Sequence, residues 1–150
     1  MPDRYAVDVI DGTFVDAEVS VPMEPRLDND PHLSDVVEAL RRREPVFHRE
    51  AAGVSHEDRL RGTASDFWEV GASGRRYGRD YVLETLELRY REPVRDVWYV
   101  EDFQVREVAE FTYLVTYTLL QGERVTRRST LWKRSEDDWV ILYHQGTPVP

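Results

Sequence analysis

A chain of 150 residues is about one domain's worth, enough to bury roughly 68–70% of its extended surface around a single core. At 41% hydrophobic and 33% charged, with four Trp, eight Tyr and five Phe, it has the composition of a folded chain, and its longest apolar run, Tyr113 to Leu120, is far below the ~20 residues of a membrane span. The absence of cysteine excludes disulfide scaffolds, thiol nucleophiles, iron–sulfur clusters and thiolate zinc sites, and a net charge of -9 opposes a polyphosphate backbone, so neither nucleic acid nor membrane is an expected partner.

Of the 20 basic residues only Lys133 is a lysine, which leaves one candidate for Schiff-base chemistry, on an expected exposed strand; a pyridoxal enzyme is not expected. Met1 to Gly12 carries Asp3, Asp8 and Asp11 without a basic-then-apolar pattern, and the expected location is the cytoplasm. The first 30 residues hold eight acids against Arg4 and Arg26. Within this arm Tyr5, Val7 and Val9, then Val15, Ala17, Val19 and Val21, alternate around Asp11-Gly12, the pattern of a β-hairpin. Pro22, Pro25, Asp28, Asn29, Asp30 and Pro31 then read as a linker, which divides the chain into an acidic arm, 1–31, and a main domain, 32–150.

From Ser34, an expected N-cap, Val36, Val37, Leu40 and Phe47 follow helical spacing, with a break at Pro45. Ser55 to Leu60 reads as a short helix capped by Ser55, Asp66 to Gly71 as a strand, and Ala72 to Gly78 as a glycine-punctuated turn. A second long helix is expected over Arg79 to Arg91, with Val82, Leu83, Leu86 and Tyr90 on one face and Pro93 beyond its end. Four strands follow at about 96–108, 111–121, 124–134 and 138–146, joined by turns short enough for an antiparallel meander. Helices first and a long sheet afterwards define an α+β architecture in which the sheet curls over the helices.

Three strings carry a resemblance: Arg43-Glu44-Pro45-Val46-Phe47-His48-Arg49, Asp66-Phe67-Trp68-Glu69-Val70-Gly71-Ala72-Ser73-Gly74-Arg75-Arg76-Tyr77, and Trp139-Val140-Ile141-Leu142-Tyr143-His144-Gln145-Gly146-Thr147. With Arg128-Ser129-Thr130-Leu131-Trp132 and the element order, the segment of about 33–148 resembles the nuclear transport factor 2-like superfamily, which includes ketosteroid isomerase-like and SnoaL-like proteins, and within it a bacterial family of unknown function. The resemblance implies a cone-shaped fold whose concave sheet face and helices enclose one pocket. It does not imply one reaction, because isomerases, cyclases, dehydratases, hydrolases and plain binding modules share this scaffold.

In such a cone a functional polar side chain shares strand parity with inward apolar residues. Val140, Leu142 and His144 share a face of the last strand, which points His144 inward; on the first core strand the Phe67, Glu69, Gly71 set is taken as inward, on the string around Glu69. A carboxylate in an apolar pocket has its pKa raised toward the working range of a general base or acid, and histidine titrates there already, so Glu69 and His144 are the catalytic candidates. The alternative is structural: Glu69 paired with Arg128 or Arg76, and His144 hydrogen-bonded in the core. Arg128, Thr130 and Trp132 share a face; inward, Arg128 would hold an anionic group and Trp132 stack on a flat ligand, whereas outward they would serve a dimer interface. Trp68, Tyr99, Tyr117 and His48, the last near the expected pocket mouth, complete the candidate ligand contacts. The four histidines show no paired spacing and no Gly-Lys-Ser/Thr or G-x-G-x-x-G string occurs, so neither metal nor cofactor is expected. The expected protein is a cofactor-free homodimer that takes a small, mostly apolar molecule into its pocket, either to transfer a proton within it or only to bind it.

Overall fold

A computed structural model describes residues 24–47, 54–91, 97–136 and 138–150. The expected N-terminal hairpin and His48 lie outside the described residues. The linker enters the fold through a 3-10 turn, Pro31–Leu33, in which the Asp30 carboxylate accepts a hydrogen bond from the His32 amide at 2.9 Å. Helix α1, Ser34–Arg43, continues directly from that turn, so Ser34 is its first residue and not its cap. Pro45 cannot donate to a further α-turn, and the chain tightens into a second 3-10 turn, Glu44–Phe47. Ser55 caps α2, His56–Arg61, through a reciprocal capping box with Asp58.

Strand β1, Thr63–Val70, reverses onto β2, Arg76–Gly78, a short strand that the sequence reading takes only as turn. Gly74 makes the reversal at φ +82°, a conformation glycine adopts without a Cβ clash. Helix α3, Arg79–Tyr90, buries Val82, Leu83 and Leu86. The meander follows as β3, Trp98–Ala109, β4, Thr112–Gln121, β5, Arg124–Ser135, and β6, Asp138–Pro148.

These six strands form one curved sheet in the order β2-β1-β6-β5-β4-β3. The sheet is mixed where an antiparallel one was expected: β1 runs parallel to β6, because the two are joined by the intervening chain and not by a turn. The core unites Val36 and Leu40 of α1, Val82 and Leu86 of α3, and Phe67, Val105, Val115, Leu119, Trp132 and Ile141 of the sheet. Asn29 satisfies part of the open β3 edge, donating to the Phe103 carbonyl and accepting from the Val105 amide, both at 2.8 Å. Among the described residues no helix is long and apolar enough to cross a membrane.

Two irregularities set which side chains face inward. Between Glu101 and Gln104 the register of β3 slips, with Asp102 at φ 54°, so Trp98 and Phe103 share the inner face although their spacing is odd. Tyr99, an expected ligand contact, is thereby turned outward and is 63% exposed. A second slip lies opposite Leu131 and Trp132, where Leu142 is the extra residue of β6. Trp139 and Ile141 face inward before it and His144 and Gly146 after it, so His144 is buried without sharing a face with Val140.

Candidate functional site

One rung of the sheet runs from apolar to ionisable side chains. Val105 pairs with Val115, Val115 with Thr130, Thr130 with His144, and His144 with Glu69. Neighbouring strands lie ~4.8 Å apart, so the parallel pairing of β1 with β6 sets Glu69 and His144 side by side. Both line a cavity of ≈ 510 Å³ between the β1–β6–β5 part of the sheet and α3. Its walls include Tyr77, Tyr81, Val82, Leu86 and Trp98, and its charged lining adds Arg89, Arg124 and Arg128. Tyr77 and Tyr81 stack, with centroids 4.8 Å apart.

Glu44 closes the other side of His144. At the start of the second 3-10 turn it continues the inward stripe of Val36 and Leu40 from α1 and is only 3% exposed. The Tyr117 hydroxyl donates to its Oε1 at 3.0 Å, the Trp132 Nε1–H to its Oε2 at 2.7 Å, and the Thr130 hydroxyl also donates to Oε1. Oε1 lies 3.8 Å from His144 Nδ1, and Nδ1 is 2.8 Å from Thr130 Oγ1. With Glu44 ionised, the Thr130 proton goes to Oε1, so His144 carries its proton on Nδ1 and has Nε2 as the ring acceptor. Burial raises the Glu44 carboxyl from 4.5 to about 7, against the opposing pull of the hydrogen bonds from Thr130, Trp132 and Tyr117 and of the Arg128 charge.

The Glu69 carboxyl is also raised by burial, opposed by Arg128 and then Arg89. Among the described residues neither Arg128 nor Arg76 forms an ion pair with it. Arg128 lies flat over Gly146, its cross-strand partner: a Cβ on that glycine would come within 2.7 Å of Nη1 and 2.9 Å of Cζ. Its Nε donates to Thr126 Oγ1 at 2.9 Å.

The structure thus brings Glu69, His144 and Arg128 to one cavity. Thr130 and Trp132 are buried on the inner face, which removes the reading of this strand face as a dimer interface. Tyr117 and Trp132 point inward too, but their polar atoms are directed at Glu44, behind the cavity. Trp68 and Tyr99 are corrections to the expected ligand contacts. Trp68 alternates with the inward pair Phe67 and Glu69, is 44% exposed and packs edge-on against Tyr143 on the outer face; Tyr99 is carried outward by the Asp102 bulge. Glu44, Arg89, Arg124 and Trp98 were missed. The signal for Glu44 was present, since a carboxylate on the i, i+4, i+8 stripe of an amphipathic helix is out of place unless it has partners.

No protein-family model and no curated protein matches the sequence. Solved structures do match. One is a nuclear transport factor 2-like protein of unknown function in nutrient uptake from Rhodospirillum rubrum (TM-score 0.57, 16% identity, 77% of this chain and 98% of that one). A proposed ketosteroid isomerase from Parabacteroides distasonis aligns with a TM-score of 0.52 and 14% identity over 74% of this chain and 85% of its own. A proposed Ca/calmodulin-dependent kinase II association domain from Exiguobacterium sibiricum aligns with a TM-score of 0.54 and 21% identity over 85% of this chain and 98% of its own. The chain has the nuclear transport factor 2-like fold, an α+β cone whose members include ketosteroid isomerase-like proteins.

Proposed function

We propose that the protein takes a small molecule with a mostly apolar body into the β1–β6–β5 cavity and that Glu69 and His144 move a proton within it, without a cofactor. The observation that carries this reading is the registered pair Glu69 and His144, side by side and both lining the cavity. Burial holds the Glu69 proton into a higher pH range than that of a free carboxyl, which suits a general acid or base. With Glu44 ionised, the Thr130–Glu44 pair holds the His144 proton on Nδ1 and makes Nε2 the ring acceptor. Removing a proton at one carbon and returning it at another is isomerisation; loss of a leaving group after removal is a lyase reaction; activation of water by the same base is hydrolysis.

The test begins with the compound that the purified protein carries, identified by native mass spectrometry and returned to fresh protein in D2O. The expected result is deuterium in the recovered compound, or in its product, with Glu69→Gln slower by about 100-fold or more. A compound recovered unlabelled and unaltered after long incubation overturns the proton-transfer reading and leaves a binding module. Pairing of two copies is proposed through the outer sheet face, where Trp68 and Tyr99 are exposed. Light scattering that gives a monomer mass would remove it.

A further inference from the structure

The lining of the cavity is electrically opposite to the chain around it. The chain carries -9, yet among the described residues lining the cavity Arg89, Arg124 and Arg128 stand against one carboxylate, Glu69. Arg124 and Arg128 stand four residues apart on β5, and Arg89 comes from the last turn of α3, so two separate elements deliver guanidinium groups to one space. Neither Arg124 nor Arg128 forms an ion pair among the described residues. Arg89 and Arg124 are exposed and keep their hydration, whereas Arg128 is half-buried, and a half-buried guanidinium without an ion pair is more easily accommodated with an anion beside it. The Arg128 guanidinium is itself pulled below its usual range, first by burial, with Tyr117 opposing and Arg124 adding to the shift, then Glu69 opposing and Arg89 adding to it.

Arg128 is also positioned. Gly146 leaves the space in which its guanidinium lies, and Thr126 accepts from its Nε at 2.9 Å, which leaves the two Nη nitrogens for a ligand. A planar fork fixed at one edge suits a planar two-oxygen partner. A phosphate dianion would meet the Glu69 carboxylate in the same cavity at twice the charge, which favours the monoanion. The apolar and aromatic side chains of Tyr77, Val82, Leu86 and Trp98 suit a ring system attached to it.

We propose that the cavity is a site for an organic carboxylate, with the Arg128 guanidinium over Gly146 as its anchor and Arg124 and Arg89 supplying field, while the aryl or alicyclic body lies along Tyr77, Leu86 and Trp98. This rests on the cavity being a ligand site and not on proton transfer within it.

The probes are 2-naphthylacetate, its uncharged counterpart 2-(2-naphthyl)ethanol, and inorganic phosphate, titrated calorimetrically into the full chain at low salt. The acid is expected to bind at least about tenfold more tightly than the alcohol, with phosphate a poor competitor. Arg128→Gln should weaken the acid by about tenfold or more and leave the alcohol unchanged. Gly146→Ala should weaken it as well without a large change in Tm, because the atoms nearest the added Cβ belong to the flexible end of the Arg128 side chain. Arg106→Gln, on the exposed β3 edge strand, should change nothing. Equal binding of acid and alcohol, no binding of the acid at millimolar concentration, or Arg128→Gln with undiminished affinity would each overturn the proposal, and effective competition by phosphate would reassign the site to phosphoesters. Because calorimetry reads binding alone, a failed deuterium exchange with intact carboxylate binding sinks the chemistry and spares this site. The reverse pattern sinks the site and spares the chemistry.

Discussion

Two carboxylates approach the same histidine from opposite sides and are treated in opposite ways. Glu44 sits behind His144, sealed from water, with neutral donors from Tyr117, Trp132 and Thr130 on its two oxygens. Glu69 stands beside His144 at the cavity, half-buried, with no ion-pair partner within the described residues and with Arg128 and Arg89 acting on it through space. Hydrogen bonds fix position; open space and distant charge leave a proton free to move. The comparison assigns Glu44 to orienting the imidazole and Glu69 to exchange with whatever fills the cavity. One residue type serves both ends because the helix stripe buries one copy and a sheet rung exposes the other.

The largest effect that would break this contrast is structural. Glu44→Ala removes the acceptor of the Tyr117 hydroxyl and of the Trp132 N–H in a buried space, and each lost acceptor costs about 1–3 kcal/mol, so urea denaturation should show a loss of about 4 kcal/mol. A loss below about 1 kcal/mol would mean that water reaches the cage. Next is the pH dependence. The folded state keeps a proton on Glu44 up to about 7, whereas the unfolded chain releases it near 4.5. The stability contributed by that proton is fully present below pH 4.5 and is lost as pH rises through about 7, a fall of about 3 kcal/mol across the window. Glu44→Gln, which cannot titrate, should flatten that slope relative to the wild type, measured as unfolding free energy from pH 4.5 to 8. A wild-type slope equal to that of the variant would show that Glu44 titrates normally.

The element order was legible because helical and strand periodicities, the break at Pro45 and the capping Ser55 are local, whereas His144, expected inward on a face shared with Val140 and Leu142, reaches the inner face through a register slip. What was not legible depends on register. The slip at Asp102 reverses the face of Tyr99, and the extra residue at Leu142 gives His144 inner-face neighbours other than Val140, and neither bulge leaves a pattern that single-strand alternation detects. Arg128 was left between two faces until pairing placed it over Gly146, a cross-strand relation that no spacing along β5 contains. Glu44 differs, since the Val36 and Leu40 stripe already pointed to it; its adjacency to Pro45 drew attention to the helix break and away from the side chain.

The Glu69 side of the comparison is sharpened by a smaller change. Glu69→Gln removes the exchangeable proton and keeps the shape, and a half-buried carboxyl with no ion pair should cost under about 1 kcal/mol of stability when replaced. Proton exchange in the bound compound should fall by about 100-fold, equivalent to about 2.7 kcal/mol of barrier. Loss of stability without loss of exchange would exchange the roles assigned to the two carboxylates.

The smallest effect marks the boundary of the site. Trp68 is the chain neighbour of Glu69, yet the pleat sends it to the outer face, against Tyr143 at a centroid distance of 4.9 Å. Trp68→Ala should therefore remove an edge-to-face contact worth about 1 kcal/mol, read as a small fall in Tm, and leave ligand binding and deuterium exchange at wild-type values. If instead binding falls with stability preserved, the outer face takes part in recognition, and the alternation that separates Glu69 from Trp68 by one residue does not separate their functions.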